Sequence, residues 1–153
     1  MAKKIIKNLY LGDMNSVVKD AQIVISCAEE TFNEKKELNE AIYVDDVKFK
    51  NKIKDTYYYS FEDYPYPDSL NKNAIKDIFN MIDQNINKKV MYIHCIWGVN
   101  RSASIVFMYL VSRGYIKSNN YEDARSQFSN IYPKHSPNPG WKDFLKKYYP
   151  YNF

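Results

Sequence analysis

The stretch 90–111 constrains the fold of this chain more than any other. It begins with a short apolar run, continues through Cys95 into a polar loop, and ends in a second apolar run over 103–111. This order predicts a buried strand, a tight turn and a helix that begins at Arg101 or Ser102. The helix N-terminus and the loop N–H groups would then create a positive environment around one thiol, which suits a tetrahedral oxyanion.

The rest of the chain alternates short apolar strands with amphipathic helices. This alternation, without repeats or linkers, predicts one α/β domain over residues 1–153. Strands are predicted at 5–6, 9–12, 22–26, 41–44 and 57–61. Helices are predicted at 13–19, 75–86, 120–131 and 141–148, with a loop or short helix over 29–39.

The overall composition excludes several classes of protein. A net charge of +4 is too small and too scattered to indicate nucleic-acid binding. No apolar run approaches membrane-spanning length, and the N-terminus lacks the pattern of a signal peptide. The two cysteines, Cys27 and Cys95, are too few for a disulfide framework. They favour a reducing compartment and hence a cytoplasmic protein, with Cys27 as an inert buried side chain.

The loop after Cys95 carries residues that ordinary packing does not require. We expect the Cys95 thiolate to be a nucleophile that the loop amides and the helix N-terminus stabilise. Arg101 offers a planar fork that matches two oxygens of a phosphoryl group. Gly98 allows the backbone to approach the anion closely. Ser102 is expected to donate a hydrogen bond to the sulfur, and His94 to brace the loop.

These residues resemble the signature of a known family. The run 94–103 is similar to the signature loop of the cysteine-dependent protein tyrosine phosphatases. Its ending and the run 138–141 resemble the small dual-specificity phosphatases, and the segments 8–12 and 61–63 resemble flanking parts of such domains. Two positions depart from the pattern. Tyr132 stands where an arginine often precedes the proline, and Trp97 is bulkier than the usual loop residue.

The resemblance implies a fold and a mechanism. The fold would be a single domain with a central mixed, mostly parallel sheet flanked by helices. Cys95 would attack phosphorus, and water would hydrolyse the resulting phosphocysteine, without metal or cofactor. An acid must protonate the leaving oxygen, for which the sequence offers Asp55, Glu62, Asp63 and Asp68. The loop position and the resemblance both favour Asp63.

The implied site therefore has three groups of residues. The catalytic residues would be Cys95, Arg101, Asp63 and Ser102. The phosphate would bind to Ile96, Trp97, Gly98, Val99, Asn100 and Arg101. His94 and Asn138 would support the loop.

The uncharged positions of the loop favour one class of phosphorylated substrate over others. Phosphoinositide-directed relatives carry basic residues in this loop, whereas here Ile96, Trp97, Val99 and Asn100 are uncharged. This favours phosphotyrosine and phosphoserine or phosphothreonine on a protein. Two alternatives stay open. RNA 5′-triphosphatases use a similar loop, so an RNA 5′ end is a second candidate substrate. A non-catalytic phosphate-binding adaptor is the third hypothesis, and no pattern fixes an oligomeric state.

Overall fold

The computed structural model describes residues 1–153 and contains seven strands and five α-helices. The strands are β1 (Lys3–Ile6), β2 (Leu9–Gly12), β3 (Ile23–Ala28), β4 (Ala41–Tyr43), β5 (Lys48–Asn51), β6 (Thr56–Phe61) and β7 (Met91–His94). The helices are α1 (Glu29–Glu37), α2 (Lys72–Asn85), α3 (Arg101–Ser112), α4 (Tyr121–Ile131) and α5 (Pro139–Lys147). A 3-10 turn covers Pro67–Ser69.

All seven strands form one sheet in the order β1-β2-β7-β3-β6-β5-β4. The four central strands, β2, β7, β3 and β6, pair in parallel, and the outer pairs are antiparallel. The prediction of a mixed sheet flanked by helices is therefore confirmed, with the parallel pairs at its centre. Because the carboxyl ends of parallel strands meet at one edge, the loops after β2, β3, β6 and β7 lie near one another there.

The central element of the core is α3, which follows β7 directly. Its residues from Arg101 to Val111 are all buried, and it packs on β2, β3 and β7. The helix also contacts α4 and α5. The helix that the sequence predicted after the Cys95 loop is thus present, and it is buried in the middle of the fold. Each large apolar side chain that it buries contributes about 1.5–3 kcal/mol.

Side-chain caps and a glycine define several helix ends. The Asn71 side chain accepts hydrogen bonds from two backbone N–H groups of α2, at 2.9 and 3.2 Å. Asn120 accepts one from Asp123 at the start of α4, at 2.8 Å. Gly114 follows α3 with a φ of +79°, the left-handed conformation that favours glycine after a helix. None of the helices combines the length and hydrophobicity that crossing a bilayer requires.

Three segments differ from or refine the sequence-based expectations. The predicted helix over 13–19 is wrong, because the Asp13 carboxylate accepts from the Asn15 backbone and the Ser16 hydroxyl and so stabilises a turn instead. The segment 29–39 resolves as α1, the helical alternative. Strand β5 was not predicted, because its sequence contains a single apolar residue, Phe49.

Candidate active site

The Cys95 loop, residues 95–101, joins β7 to α3 at the carboxyl edge of the parallel strands. Burial of all four residues of β7 fixes the point at which the loop begins. Cys95 is only 2% exposed, and the Ser102 hydroxyl donates a hydrogen bond to its sulfur at 3.2 Å. The predicted contact between serine and thiol is thus present in the structure, while the role of Ser102 stays a prediction.

The carbonyl oxygens of the Cys95 loop bind to the surrounding protein. The His94 ring N–H donates to the Cys95 carbonyl at 2.8 Å, and burial lowers the pKa of His94, which favours its neutral form. Three further loop carbonyls accept, Ile96 from the Met14 N–H at 3.1 Å, Gly98 from the Tyr132 hydroxyl at 2.7 Å and Val99 from the Ser136 N–H at 2.7 Å.

The N–H groups of the same loop, unlike its carbonyls, have no hydrogen-bond partner in the protein. None of the five backbone N–H groups of residues 96–100 donates a hydrogen bond to another protein group. Successive uncommitted N–H groups in a turn, just before a helix N-terminus, form a binding site for an anion. The carbonyls of Cys95, Ile96, Gly98 and Val99 therefore accept hydrogen bonds from the protein, whereas the N–H groups of the loop are available to a ligand beside the Cys95 thiol.

Gly98 is required by the shape of this loop. Its φ is +72°, in the left-handed region, and a Cβ added there would lie 2.5 Å from the Gly12 carbonyl group. The end of β2 therefore packs directly against the loop. Any larger residue at position 98 would push the two backbones apart.

Arg101 is buried and held from three sides. Its guanidinium makes two parallel hydrogen bonds to the carboxylate of Glu30, the longer of 3.0 Å, and donates to the Phe61 carbonyl at 3.0 Å. Its Nε lies 3.5 Å from a carboxylate oxygen of Asp63 and has no hydrogen-bond partner. The hydrogen bonds from Arg101 lower the pKa of Glu30. Burial acts to lower the pKa of Arg101, but the hydrogen bonds to Glu30 outweigh this effect, so that the pKa of Arg101 is raised.

Asp63 lies in the loop after β6, which we call the acid loop (residues 62–66), and this loop is docked onto the Cys95 loop. The Asn100 amide donates to the Asp63 carboxylate and carbonyl, at 2.8 and 2.9 Å. Asn138 donates to the same carbonyl at 2.8 Å, and its own N–H binds the Asn100 side chain at 2.8 Å. Trp141 donates to the Glu62 carbonyl at 2.9 Å, and a Cβ at Gly140 would collide with the Pro65 carbonyl oxygen.

Trp97 differs from the rest of the Cys95 loop because its side chain is 74% exposed. It lines a shallow groove of about 630 Å³ at the side of the loop. The other lining residues are Asp13, Asn15, Ser16, Ile96, Val99 and Lys134. The side chains of the Cys95 loop itself thus present an apolar surface beside the thiol.

Cys27 lies near the end of β3, next to β7, the strand that leads into Cys95. It is fully buried and free. Burial raises its pKa well above the ordinary range, and the neighbouring Cys95 adds to that shift. A thiol in this environment stays protonated, in agreement with the prediction of an inert side chain.

The structure thus brings together Cys95, Arg101, Asp63 and Ser102, whereas Asp55 and Asp68 lie elsewhere: Asp55 pairs with Lys50, and Asp68 with Lys147. Sequence reasoning missed Glu30, which lies 71 positions from Arg101 in a charged segment without a distinguishing pattern. It noted Tyr132 only as a departure from the family pattern, and not as the donor to Gly98.

No cluster of three or more His, Cys, Asp or Glu side chains is placed to hold a metal ion. The absence of a metal or cofactor requirement stays a prediction. The residues that converge at the site are instead a thiol, a guanidinium, a carboxylate and uncommitted backbone donors. Together they suit binding and transfer of a phosphoryl group.

Comparisons with known proteins agree with this chemistry. A family model described as dual specificity phosphatase, catalytic domain, matches residues 9–150. No curated protein matches the chain in sequence.

Three similar solved structures illustrate the likeness in fold. DUSP15 is 19% identical, with a TM-score of 0.65 over 96% of this chain and 86% of that chain. A human tyrosine phosphatase-like serine/threonine/tyrosine-interacting protein is 18% identical, with a TM-score of 0.66 over 96% and 94%. Human DUSP28 is 14% identical, with a TM-score of 0.66 over 96% and 91%.

Proposed function

The chain belongs to the dual-specificity phosphatase family, and on this basis we propose that it removes phosphate from phosphotyrosine and from phosphoserine or phosphothreonine of proteins. In this proposal Cys95 is the nucleophile, Arg101 binds the phosphoryl oxygens and Asp63 is the general acid and base. Ser102 assists the departure of sulfur.

One observation carries the proposal: the uncommitted backbone donors of the Cys95 loop lie beside a buried thiol that accepts from Ser102. Donors that already have the right arrangement stabilise charge on a transferring phosphoryl group without reorganising during the reaction. Neither a structural cysteine nor a packing turn requires this arrangement.

In the first step, the Cys95 thiolate attacks phosphorus and an S–P bond forms while the bond to the leaving oxygen breaks. Asp63 gives its proton to that oxygen, so that the product leaves as an alcohol or phenol. Arg101 binds two oxygens of the phosphoryl group as a fork. Two N–H groups support this role, because Nε has no partner and Nη2 uses only one of its two hydrogens, in the contact to Glu30.

In the second step, water attacks the phosphocysteine and the S–P bond breaks, which releases inorganic phosphate. Asp63 now takes a proton from the water, as the reverse of its first role. The Ser102 hydroxyl, 3.2 Å from the sulfur, stabilises the departing thiolate. The cycle thus consumes one water and restores the protonated Asp63 and the thiolate.

The substrate preference rests on the rim of the site. Trp97 offers an exposed aromatic face against which a phosphotyrosine ring can stack. The uncharged loop residues supply no cations for the extra phosphates of a phosphoinositide headgroup. Both features support a protein substrate with a single phosphate in the loop.

Phosphate release tests this function. We expect reduced wild-type protein to release phosphate from phosphotyrosyl and phosphothreonyl peptides faster than from 5′-triphosphate RNA or a phosphoinositide. Cys95→Ser should bind the peptides without turnover. Turnover retained by Cys95→Ser would exclude the covalent mechanism. Absence of any release by the wild type, from peptides or an aryl phosphate, would favour the non-catalytic adaptor.

A further inference from the structure

A second cationic cleft lies between α4 and α5 and is separate from the Cys95 loop. It has a volume of about 390 Å³. We call it the α4–α5 cleft. Its lining residues are Tyr121, Glu122, Arg125, Ser136, Pro137, Lys142 and Lys146.

The cations of this cleft are not neutralised by the protein. Neither Arg125, Lys142 nor Lys146 forms an ion pair within 4 Å, although the chain has ten such pairs elsewhere. Lys142 and Lys146 are four residues apart on α5, so their side chains lie on one face of the helix, roughly 5–6 Å apart at Cβ. Glu122 is the single acid that lines the cleft. Three cations therefore face one anion.

The wall of the cleft contains a buried hydroxyl group without a partner. Tyr121 is 7% exposed, and its hydroxyl makes no hydrogen bond. Burial raises the pKa of Tyr121, and the adjacent Arg125 guanidinium opposes that rise. A buried hydroxyl without a partner is unfavourable, so its presence beside unpaired cations points to a ligand that accepts hydrogen bonds.

The backbone connects this cleft to the Cys95 loop. Ser136 lines the cleft, and its N–H donates to the Val99 carbonyl at 2.7 Å. Two residues later, Asn138 binds Asn100 and Asp63. Arg125 is held in place by the His135 carbonyl, at 2.6 Å, and by the Ser129 hydroxyl. The segment 136–138 thus lines the cleft and contacts the Cys95 loop, which places the two sites on adjoining parts of the fold.

We propose that the α4–α5 cleft binds an acidic segment of the protein substrate while the Cys95 loop holds the phosphate to be removed. The paired lysines of α5 and Arg125 of α4 match two adjacent carboxylates, and the hydroxyls of Tyr121 and Ser136 supply further donors. This inference rests on the proposed function, because it assigns a docking site to the same substrate.

Binding to the inactive Cys95→Ser protein provides the test. The probes are phosphotyrosyl peptides with a Glu-Glu pair at increasing distances on either side, each matched by a peptide with Gln-Gln. At the best distance, we expect the Glu-Glu peptide to bind about tenfold more tightly than its Gln-Gln partner, the scale of charge-assisted contacts. The double variant Lys142→Glu/Lys146→Glu should lose this difference. The control variant Lys88→Glu/Lys89→Glu, which makes the same change in net charge at exposed positions before β7, should retain it.

Two results would overturn the proposal: no Glu-Glu advantage at any distance, or an advantage that persists in the double variant. If the double variant does not fold, the variant Glu122→Gln tests the proposal instead. Removal of the only acid in the cleft should tighten binding of the Glu-Glu peptide. An unchanged affinity would exclude the cleft as its binding site. Failure of the proposed function can be distinguished from failure of this inference. The first would appear as absence of turnover by the wild type, whereas the second would appear in the comparison of peptide affinities.

Discussion

The side-chain amide of Asn100 donates to both the carboxylate and the carbonyl oxygen of Asp63, at 2.8 and 2.9 Å. A residue of the Cys95 loop thus holds the residue that we propose as the acid. In the proposed mechanism, binding of the phosphoryl group and protonation of the leaving oxygen therefore share this contact. A disturbance of either loop should affect the other.

Asp63→Ala should lower kcat by about 10²–10⁴-fold on a phosphothreonyl peptide, because an alcohol leaves poorly without a proton. The loss should be much smaller on an aryl phosphate whose leaving group needs no proton. Steady-state kinetics on both substrates measure this difference. Asp68→Ala is the matched control, since Asp68 is exposed on the following turn and pairs only with Lys147. Equal activity of both variants on the peptide would reject Asp63 as the acid.

Asn138→Ala should reduce kcat about fivefold on the same peptide, with little change in the alkylation rate of Cys95. The substitution removes a hydrogen bond of 2.8 Å to the acid loop, for which about 1 kcal/mol is typical. A double variant with Asp63→Ala is informative, because the two effects should not add if Asn138 acts through Asp63. Full additivity would mean that Asn138 acts elsewhere.

Ser102→Ala should slow the hydrolysis of the phosphocysteine by about 10–100-fold, because the departing thiolate loses its donor. The intermediate should then accumulate. Rapid mixing with an aryl phosphate should reveal a burst of the phenol, followed by slow turnover, and mass spectrometry after acid quenching should detect phosphate on Cys95. Ser126→Ala, on the exposed side of α4, should behave as the wild type. A variant that is slow without a burst would assign Ser102 to the first step instead.

His135 predicts a pH dependence of stability. Burial lowers its pKa to about 3, and Arg125 adds to that effect. Unfolded histidine has a pKa of about 6.5, so below that pH the unfolded state takes up a proton that the folded state does not. The free energy of unfolding should therefore fall as the pH drops from about 6.5 towards about 3.

The non-titrating variant His135→Gln isolates this contribution. Denaturant unfolding at pH 7 and pH 5 should reveal a smaller loss of stability in the variant than in the wild type, whatever its absolute stability. His94 shifts in the same direction and is present in both proteins, so it cancels in the comparison. An equal loss of stability in both proteins would mean that His135 takes up a proton as readily in the folded state as in the unfolded state.

The sequence predicted those parts of the structure that local patterns encode. Apolar runs located β7 and α3, and the helical spacing of apolar residues located α2 and α4, because such patterns depend only on neighbouring residues. The short segment after β2 was wrong, since Asp13 stabilises a turn with contacts that no periodicity reports. Glu30 was missed for a different reason. Its partner Arg101 is brought near by strand order in the sheet, which the sequence does not display locally.

The supports of the Cys95 loop have a consequence for how this chain tolerates change. Two of the three contacts to the carbonyls of Ile96, Gly98 and Val99 come from main-chain N–H groups, those of Met14 and Ser136. Side chains at those two positions are therefore free to vary without altering the loop. A single inserted or deleted residue in the adjoining turns would shift these donors out of register. The loop should accordingly be robust to point substitution at its supports and fragile to changes in the length of the turns around it.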